Sequence, residues 1–260
     1  MTRAGGPVIA LVVVALAAPA HAGAWTRAKG KTQIIVKYEA MRAGRGFDPE
    51  GQLIDLAVDR RDTLIGAVAE HGVTDRLTLQ LKGDWQSGED AFVDFEGRGP
   101  LEIGVTWQAW RDDETAVSLY AGYAHGGEGR NAGYASPGKG EQDWELRASV
   151  GRSFEAGWGP IPDHAFFEIQ AARRMRQGLP DEVRVDLTAG VRPARDWMFL
   201  AQAFGGQADD GGPRWLSVET TVVRDLGDWS LQAGWRQTVA GRETPQASGP
   251  VIASGAASEA

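Results

Sequence analysis

The chain of 260 residues carries a formal net charge of -8 and contains no cysteine. The acidic balance argues against nucleic acid as a partner, because neutralising phosphates requires a basic surface. Without cysteine the protein has neither a disulfide framework nor a lipid-modified cysteine at a cleavage site. The 35 glycines and 10 tryptophans are typical of strands and turns with amphipathic rings at an interface.

The first 22 residues predict a secretory signal peptide. Arg3 supplies positive charge, residues 8–18 form an uninterrupted apolar run, and Ala20-His21-Ala22 is a small-x-small cleavage site. The apolar run is far shorter than the roughly 20 residues that a membrane-spanning helix needs. We therefore expect cleavage that leaves residues 23–260 as a single barrel domain, with cleavage after Ala24 as the close alternative.

After the leader, short runs alternate apolar and polar residues with a period of two, as strands with two unlike faces do. In the first run Ile34, Val36 and Tyr38 share one face, with Lys37 and Glu39 on the other. Sustained spacing of 3.6 residues is missing, which predicts little helix. Further alternating runs lie at 77–82, 101–109, 144–151, 183–191, 216–222 and 231–235.

The connections between these runs alternate between long and short. The long ones are residues 43–61, 85–100, 125–140, 176–182 and 205–213, and in an alternative interpretation residues 52–58 extend a hairpin beyond the membrane. The short ones are residues 71–75, 112–114, 193–196 and 224–228, with a somewhat longer one at 157–163. Short periplasmic turns and longer extracellular loops are typical of bacterial outer-membrane barrels, which have an even strand number. The pattern predicts an all-β fold, a single antiparallel transmembrane β-barrel of about 12 strands with both termini in the periplasm.

Lipid offers no partners for ions, so we expect the apolar face of each strand to point outward and the polar face inward. Tryptophans near the predicted strand ends fit the headgroup level, namely Trp25, Trp107, Trp197 and Trp229. The predicted lumen-lining residues carry both signs of charge: Lys37, Glu39, Lys82, Glu102, Glu145, Arg147, Glu168, Arg184, Asp186, Glu219 and Arg236. They form either a ladder of ion pairs that stiffens a nearly dry barrel or a polar channel that weakly selects solutes.

Sequence motifs of nucleotide-binding, zinc-dependent and serine-hydrolase sites are missing, and we expect no catalytic residue, metal or other cofactor. His125, at a predicted extracellular strand end, keeps one enzymatic alternative open. In that alternative the protein is an outer-membrane hydrolase or acyltransferase, and Ser118, Ser149 or Asp186 approaches His125. Nothing in the spacing links His125 to a nucleophile.

Three stretches resemble a group of Gram-negative outer-membrane β-barrel proteins that are described as transporters. They are WTR at 25–27 followed by KG at 29–30, EHGVTDRLTL at 70–79, and AGWRQTVAGR at 233–242. The group is similar to the family named for a phenol meta-cleavage degradation pathway, and the resemblance covers nearly the whole mature chain. It implies an outer-membrane barrel and passage of small organic compounds, and it implies no catalytic residue.

The C-terminal strand departs from that group. Barrels of this kind usually finish on an aromatic residue that the assembly machinery recognises, whereas residues 249–260 are mostly small. We therefore expect residues 250–257 to pair poorly with the first strand.

These patterns together predict a passive, porin-like channel or transporter for small organic molecules in the outer membrane of a Gram-negative cell. The chain shows no plug domain and no extension for energy coupling, so active uptake is not expected. Expected partners are outer-membrane lipid and lipopolysaccharide, the barrel-assembly machinery and a small solute of unknown identity. A sealed barrel with a structural or binding role is the third hypothesis, beside the channel and the enzyme.

Overall fold

A computed structural model describes residues 23–91, 94–127, 141–155 and 164–258. Regular structure within these ranges consists of twelve long strands and one strand of two residues. None of the described residues forms a helix long and apolar enough to cross a membrane. The strands are β1 (Thr32–Phe47), β2 (Leu53–Thr74), β3 (Leu77–Glu89), β4 (Asp94–Arg111), β5 (Thr115–His125), β6 (Gln142–Phe154), β7 (His164–Arg176), β8 (Glu182–Ala194), β9 (Trp197–Ala208), β10 (Arg214–Leu226), β11 (Trp229–Arg242), β12 (Thr244–Pro245) and β13 (Ser248–Ser258).

Strands β1 to β11 pair antiparallel with their neighbours in the chain, as successive hairpins do. β13 pairs with both β11 and β1, and this second pairing closes the sheet into a barrel. Closure leaves no long edge strand, whose unpaired N–H and C=O groups would be costly in lipid. The prediction of a single antiparallel barrel of about 12 strands is confirmed.

The expectation that the C-terminal strand pairs poorly with the first strand is wrong. β13 pairs with β1 in continuous register from Val251, opposite Glu39, to Ser258, opposite Thr32. Small residues suffice because the ladder is made by backbone groups, which every residue except proline provides in full. Val251 is fully buried and Ile252 is 53% exposed, so the strand also presents the inner and outer faces that a barrel requires.

Among the described connections, tight turns lie at one end of the barrel and longer connections at the other, while the predicted connection at 157–163 lies outside the described residues. We call the first the turn end, which contains residues 75–76, 112–114, 195–196 and 227–228, and the second the loop end. In the turn after β10, Gly227 has a φ of 69°, a left-handed conformation that glycine adopts without strain. In bacterial barrels the tight turns lie on the periplasmic side.

The strands reach further into the loop end than the predicted long connections allow, and β2, which begins at Leu53, agrees with the alternative of an extended hairpin at residues 52–58. The expected loops at 43–61 and 85–100 shrink, because β1 continues to Phe47 and β2 begins at Leu53, while β3 ends at Glu89 and β4 begins at Asp94. Beyond a membrane both faces of a strand meet water, so the apolar alternation fades although the backbone ladder continues.

The outer surface of the barrel is an apolar belt. Leu81 is 54% exposed, Ile103 is 52% exposed and Leu146 is 57% exposed, and each sits between residues whose side chains face the interior. Burying such a surface in lipid is favourable, whereas a large apolar belt in water is rare for a monomeric soluble protein. Trp107, Trp197 and Trp229 are exposed on this surface, as expected.

Candidate functional site

The barrel interior holds a cavity of about 390 Å³ towards the loop end. Its walls combine charged groups with aromatic rings, an arrangement that can hold a small polar or amphipathic molecule. The charged lining residues are Glu39, Asp62, Asp84, Asp186, Arg184 and Arg236, and the aromatic ones are Phe95, Phe204 and Trp215.

One wall of the cavity ends on four charged residues that we call the lateral cluster: Lys37, Glu39, Glu219 and Arg236. The carboxylate of Glu219 has no exposed surface, and it accepts hydrogen bonds from Arg236 Nε at 2.8 Å and from Lys37 Nζ at 3.4 Å. Arg236 also reaches Glu39 at 3.2 Å, and its guanidinium lies 4.5 Å from the centroid of the Phe204 ring. Arg236 is thus held in place by two carboxylates and a ring face.

A second set of six residues, the central cluster, lies between the cavity and the turn half of the barrel: Lys82, Glu102, Tyr120, Glu145, Arg147 and Arg174. Arg174 is 1% exposed and donates to Glu145 Oε2 through Nε at 2.8 Å and to Glu102 Oε2 through Nη2 at 2.9 Å. Glu102 also accepts from Lys82 Nζ at 2.9 Å. Buried charges of both signs are therefore paired, as a low-dielectric interior requires.

Tyr120 completes the central cluster by donating its hydroxyl hydrogen to Glu102 Oε1 at 2.7 Å. Its ring lies across Gly104 and Gly122, where an added Cβ atom would run into the ring. The cations of Lys82 and Arg147 lie 5.3 Å and 5.1 Å from the ring centroid. The two glycines thus allow the ring to lie against the wall between these cations.

Residues 23–31 precede β1, and we call them the N-terminal strap. Residues 24–27 of the strap lie in the turn half of the interior, whereas residues 28–30 are exposed. Ala24 is fully buried, and its N–H donates to Glu168 Oε2 at 2.5 Å. Gln108 Nε2 donates to the carbonyl oxygen of Ala24 at 3.2 Å, and Ser118 Oγ donates to that of Gly23 at 3.0 Å. Side chains of three strands therefore satisfy the backbone of the strap.

Trp25 and Arg27 anchor the strap further. The ring of Trp25 meets that of Phe166 edge-on, with centroids 6.3 Å apart. Arg27 donates from its N–H to Thr78 Oγ1 at 2.8 Å and from Nε to Glu70 at 2.8 Å. The prediction that Trp25 lies at the headgroup level is therefore wrong, because its ring packs inside the barrel.

Little space is left around the strap. A cavity of only about 20 Å³ lies between it and the wall, bordered by Gly23, Trp25 and Tyr120 among others. A cavity of this size holds about one water molecule. Among the described residues, the larger of these two cavities therefore lies towards the loop end and the smaller one lies beside the strap.

The structure brings the predicted lumen-lining residues together in three places. Lys37, Glu39, Glu219 and Arg236 form the lateral cluster, and Lys82, Glu102, Glu145 and Arg147 belong to the central cluster. Arg184 lies 3.5 Å from Glu145 and 3.6 Å from Asp186, and it connects the central cluster to the cavity. Glu168 instead holds the strap. Contact of a solute with these residues stays a prediction.

Sequence reasoning missed Arg174, Tyr120 and the strap. The position of Arg174 could have been predicted, because every second residue of a strand shares a face and Arg174 follows Glu168 and Gln170 on the same face of β7. The tyrosine gives a weaker signal because its ring also suits a lipid-facing interface. The strap lacks the alternation of a strand, and no pattern in it indicates that it folds inward.

The enzymatic alternative gains no support from the positions of the two serines. Ser118 and His125 lie on the same strand at positions 118 and 125, which separates them by roughly 23 Å at the rise of a β-strand. The Ser118 hydroxyl donates to Gly23, and Ser149 lies opposite Ser118 in the neighbouring strand. Asp186 lies by Arg184 and lines the cavity. Neither serine approaches the histidine.

Comparison with solved structures identifies the architecture. The chain matches an outer-membrane channel designated COG4313 from Pseudomonas putida F1 with a TM-score of 0.67 and 12% sequence identity, covering 90% of this chain and 97% of that one. The fold is that of an outer-membrane β-barrel. The NanC porin matches with a TM-score of 0.54 and 9% identity over 87% of this chain and 99% of that one. The KdgM porin matches with a TM-score of 0.54 and 5% identity over 86% and 98%.

These three structures are a channel and two porins of the outer membrane, and their similarity confirms the outer-membrane barrel that the resemblance implies. Sequence comparisons add nothing to them: no protein-family model matches the chain, and curated proteins give no sequence match. The similarity to the phenol meta-pathway family therefore stays a prediction.

Proposed function

We propose that this protein is a passive outer-membrane channel for small polar or charged organic molecules. The observation that carries the proposal is the cavity of about 390 Å³ inside a closed barrel, with charged and aromatic walls. A molecule that enters from the loop end meets this cavity first and the central cluster next. Paired charges of both signs can exchange partners with a polar solute, whereas a hydrocarbon would leave them unpaired.

Solved barrels of similar architecture support the proposal. The KdgM porin has also been determined in complex with disordered oligogalacturonate, at a TM-score of 0.52 to this chain. A barrel of this architecture can therefore accommodate a charged organic molecule. The mixed interior of the present chain favours weak selection, because anions and cations each find partners in it.

The proposal includes the cellular location and the expected partners. Residues 1–22 serve as the signal peptide, and the barrel lies in the outer membrane with the turn end towards the periplasm. The apolar belt contacts lipid and lipopolysaccharide, and the barrel-assembly machinery inserts the chain. We propose that solutes pass through the barrel passively and that the protein has no catalytic activity.

A sealed barrel is the second candidate, because the strap and the central cluster occupy much of the turn half. Swelling of liposomes that contain the purified protein separates the two. A channel admits small zwitterions and monocarboxylates at rates that fall with their size. A sealed barrel admits none of them, although its heat-dependent mobility on a gel shows that it is folded.

A further inference from the structure

Glu168 is a buried carboxylate that the lumen-lining clusters do not use. It is 2% exposed, and its oxygens accept hydrogen bonds from the side-chain amide of Gln170 and from the N–H of Ala24. Gly23 lies beside the same two side chains, because a Cβ atom built on it would lie 2.9 Å from Gln170 Nε2 and 3.9 Å from Glu168 Oε1. Within the described parts of the chain, no Lys or Arg forms a salt bridge with Glu168; Arg147 is bonded to Glu145 and Gln170 and acts on Glu168 only from beyond ion-pair distance.

Signal-peptide cleavage can supply the missing positive charge at this place. Hydrolysis of the peptide bond between residues 22 and 23 adds water across it, leaving a carboxylate on Ala22 and an ammonium group on Gly23. The nitrogen that becomes this ammonium group belongs to the residue beside Glu168 that precedes Ala24, whose own N–H donates to Glu168 Oε2 at 2.5 Å. A buried carboxylate that has hydrogen bonds but no salt bridge is still costly, so an ammonium partner at hydrogen-bond distance is favoured.

We propose that the α-ammonium group of Gly23 in the processed chain forms an ion pair with Glu168 and locks the N-terminal strap inside the barrel. The proposal rests on the proposed removal of residues 1–22 and not on channel activity. It also selects between the two cleavage sites, because cleavage after Ala24 would remove the backbone groups that bond to Glu168, Gln108 and Ser118. The lock forms only in the processed protein.

The first test is the mass of the purified outer-membrane protein, which reports its first residue. A chain that begins at Gly23 agrees with the proposal, and a chain that begins at Trp25 overturns it. This measurement does not depend on whether the barrel conducts. It therefore distinguishes a failure of the proposed ion pair from a failure of the proposed channel function.

The second test is a double-mutant cycle between the position of the amino group and Glu168. One serine inserted between residues 22 and 23 moves the ammonium group away by one residue but keeps the N–H of Gly23. The insertion is expected to lower the midpoint of heat-induced unfolding on a gel by several degrees in the wild-type background. It is expected to have no further effect in Glu168→Gln, where the carboxylate charge is gone.

An insertion without effect in the wild-type background overturns the proposal, and so does an equal loss in both backgrounds, which would indicate steric disruption. The matched control is Glu114→Gln, which removes an exposed carboxylate paired with Arg152 at 2.7 Å. Its effect should simply add to that of the insertion. If Glu168→Gln does not fold, selective transamination of the N-terminal glycine removes the ammonium group from the folded wild-type protein. If the ion pair forms, this treatment lowers the midpoint of heat-induced unfolding, and an unchanged midpoint contradicts the proposal.

Discussion

Arg174 and Glu102 lie 2.9 Å apart although β5 and β6 separate their strands in the barrel wall. The contact therefore runs through the interior and not along the wall. Arg174 also donates a 2.8 Å hydrogen bond to Glu145. It is therefore at the centre of the central cluster, which a solute moving from the cavity towards the turn end would meet next.

Arg174→Met is expected to destabilise the barrel and to increase its conductance. The variant leaves Glu102 and Glu145 without their shared cation, and loss of one partner from a buried ion pair costs roughly 3–5 kcal/mol. Arg174→Lys keeps the charge, so its unfolding midpoint and its conductance should lie between those of the wild type and those of Arg174→Met. The midpoint of heat-induced unfolding and the single-channel conductance measure these effects. The control, Arg152→Gln, removes an exposed pair and should change neither; equal losses in both variants would contradict the account.

Glu219→Gln is expected to shift ion selectivity towards anions. The buried carboxylate lies between Lys37 and Arg236, so its loss leaves more positive charge on the lateral cluster than negative. The reversal potential in a planar bilayer under a KCl gradient reports the change. Glu114→Gln, at the exposed turn end, serves as the control. An unchanged reversal potential in a conducting Glu219→Gln channel would show that ions do not pass this cluster.

Leu146→Arg tests the assignment of the outer face to lipid. Leu146 is 57% exposed on the wall, and a charge placed on the lipid face near the bilayer midplane costs about 2–4 kcal/mol. Leu226 is 50% exposed at the turn end, where Leu226→Arg can reach water. Urea unfolding in lipid vesicles should therefore show a large loss of stability for the first variant and a small one for the second. Similar losses would argue that the wall does not face hydrocarbon.

Asp112 stabilises the turn between β4 and β5, and this contribution should depend on pH. The N–H groups of Thr115 and Glu114 donate to its Oδ1 at 2.7 Å and 2.9 Å, and these bonds hold the pKa of the carboxyl below its ordinary value. A lowered pKa gives stability that is complete above the unfolded pKa of about 4 and is lost as the pH falls through the folded value. The stability difference between wild type and Asp112→Asn should therefore shrink on acidification. Asp113→Asn is the control, and a difference that grows at low pH would contradict this explanation.

The strand pattern and the charged inner face could be predicted because both follow from a period of two. Leu79 and Leu81 face out and Lys82 faces in, as the alternation requires. The limits of the strands could not be predicted at the loop end, where both faces are wet and β1 continues to Phe47 without an apolar face.

The inward fold of the strap and the pairing of β13 depend on contacts distant in sequence. Ala24 and Glu168 are 144 positions apart, and no local signal links them. The pairing of β13 with β1 could not be predicted because the small side chains of β13 give a weak alternating pattern. The pairing depends on backbone groups, which that pattern does not reveal.

Single-channel recording of the purified protein in a planar bilayer shows whether the closed barrel is an open channel. The sample must first show the mobility shift on heating that a folded barrel gives. We expect small, stable steps of conductance, because the central cluster and the strap narrow the path without removing its polar lining. A folded barrel that leaves the bilayer as impermeable to ions and small organic solutes as the lipid alone would contradict this expectation.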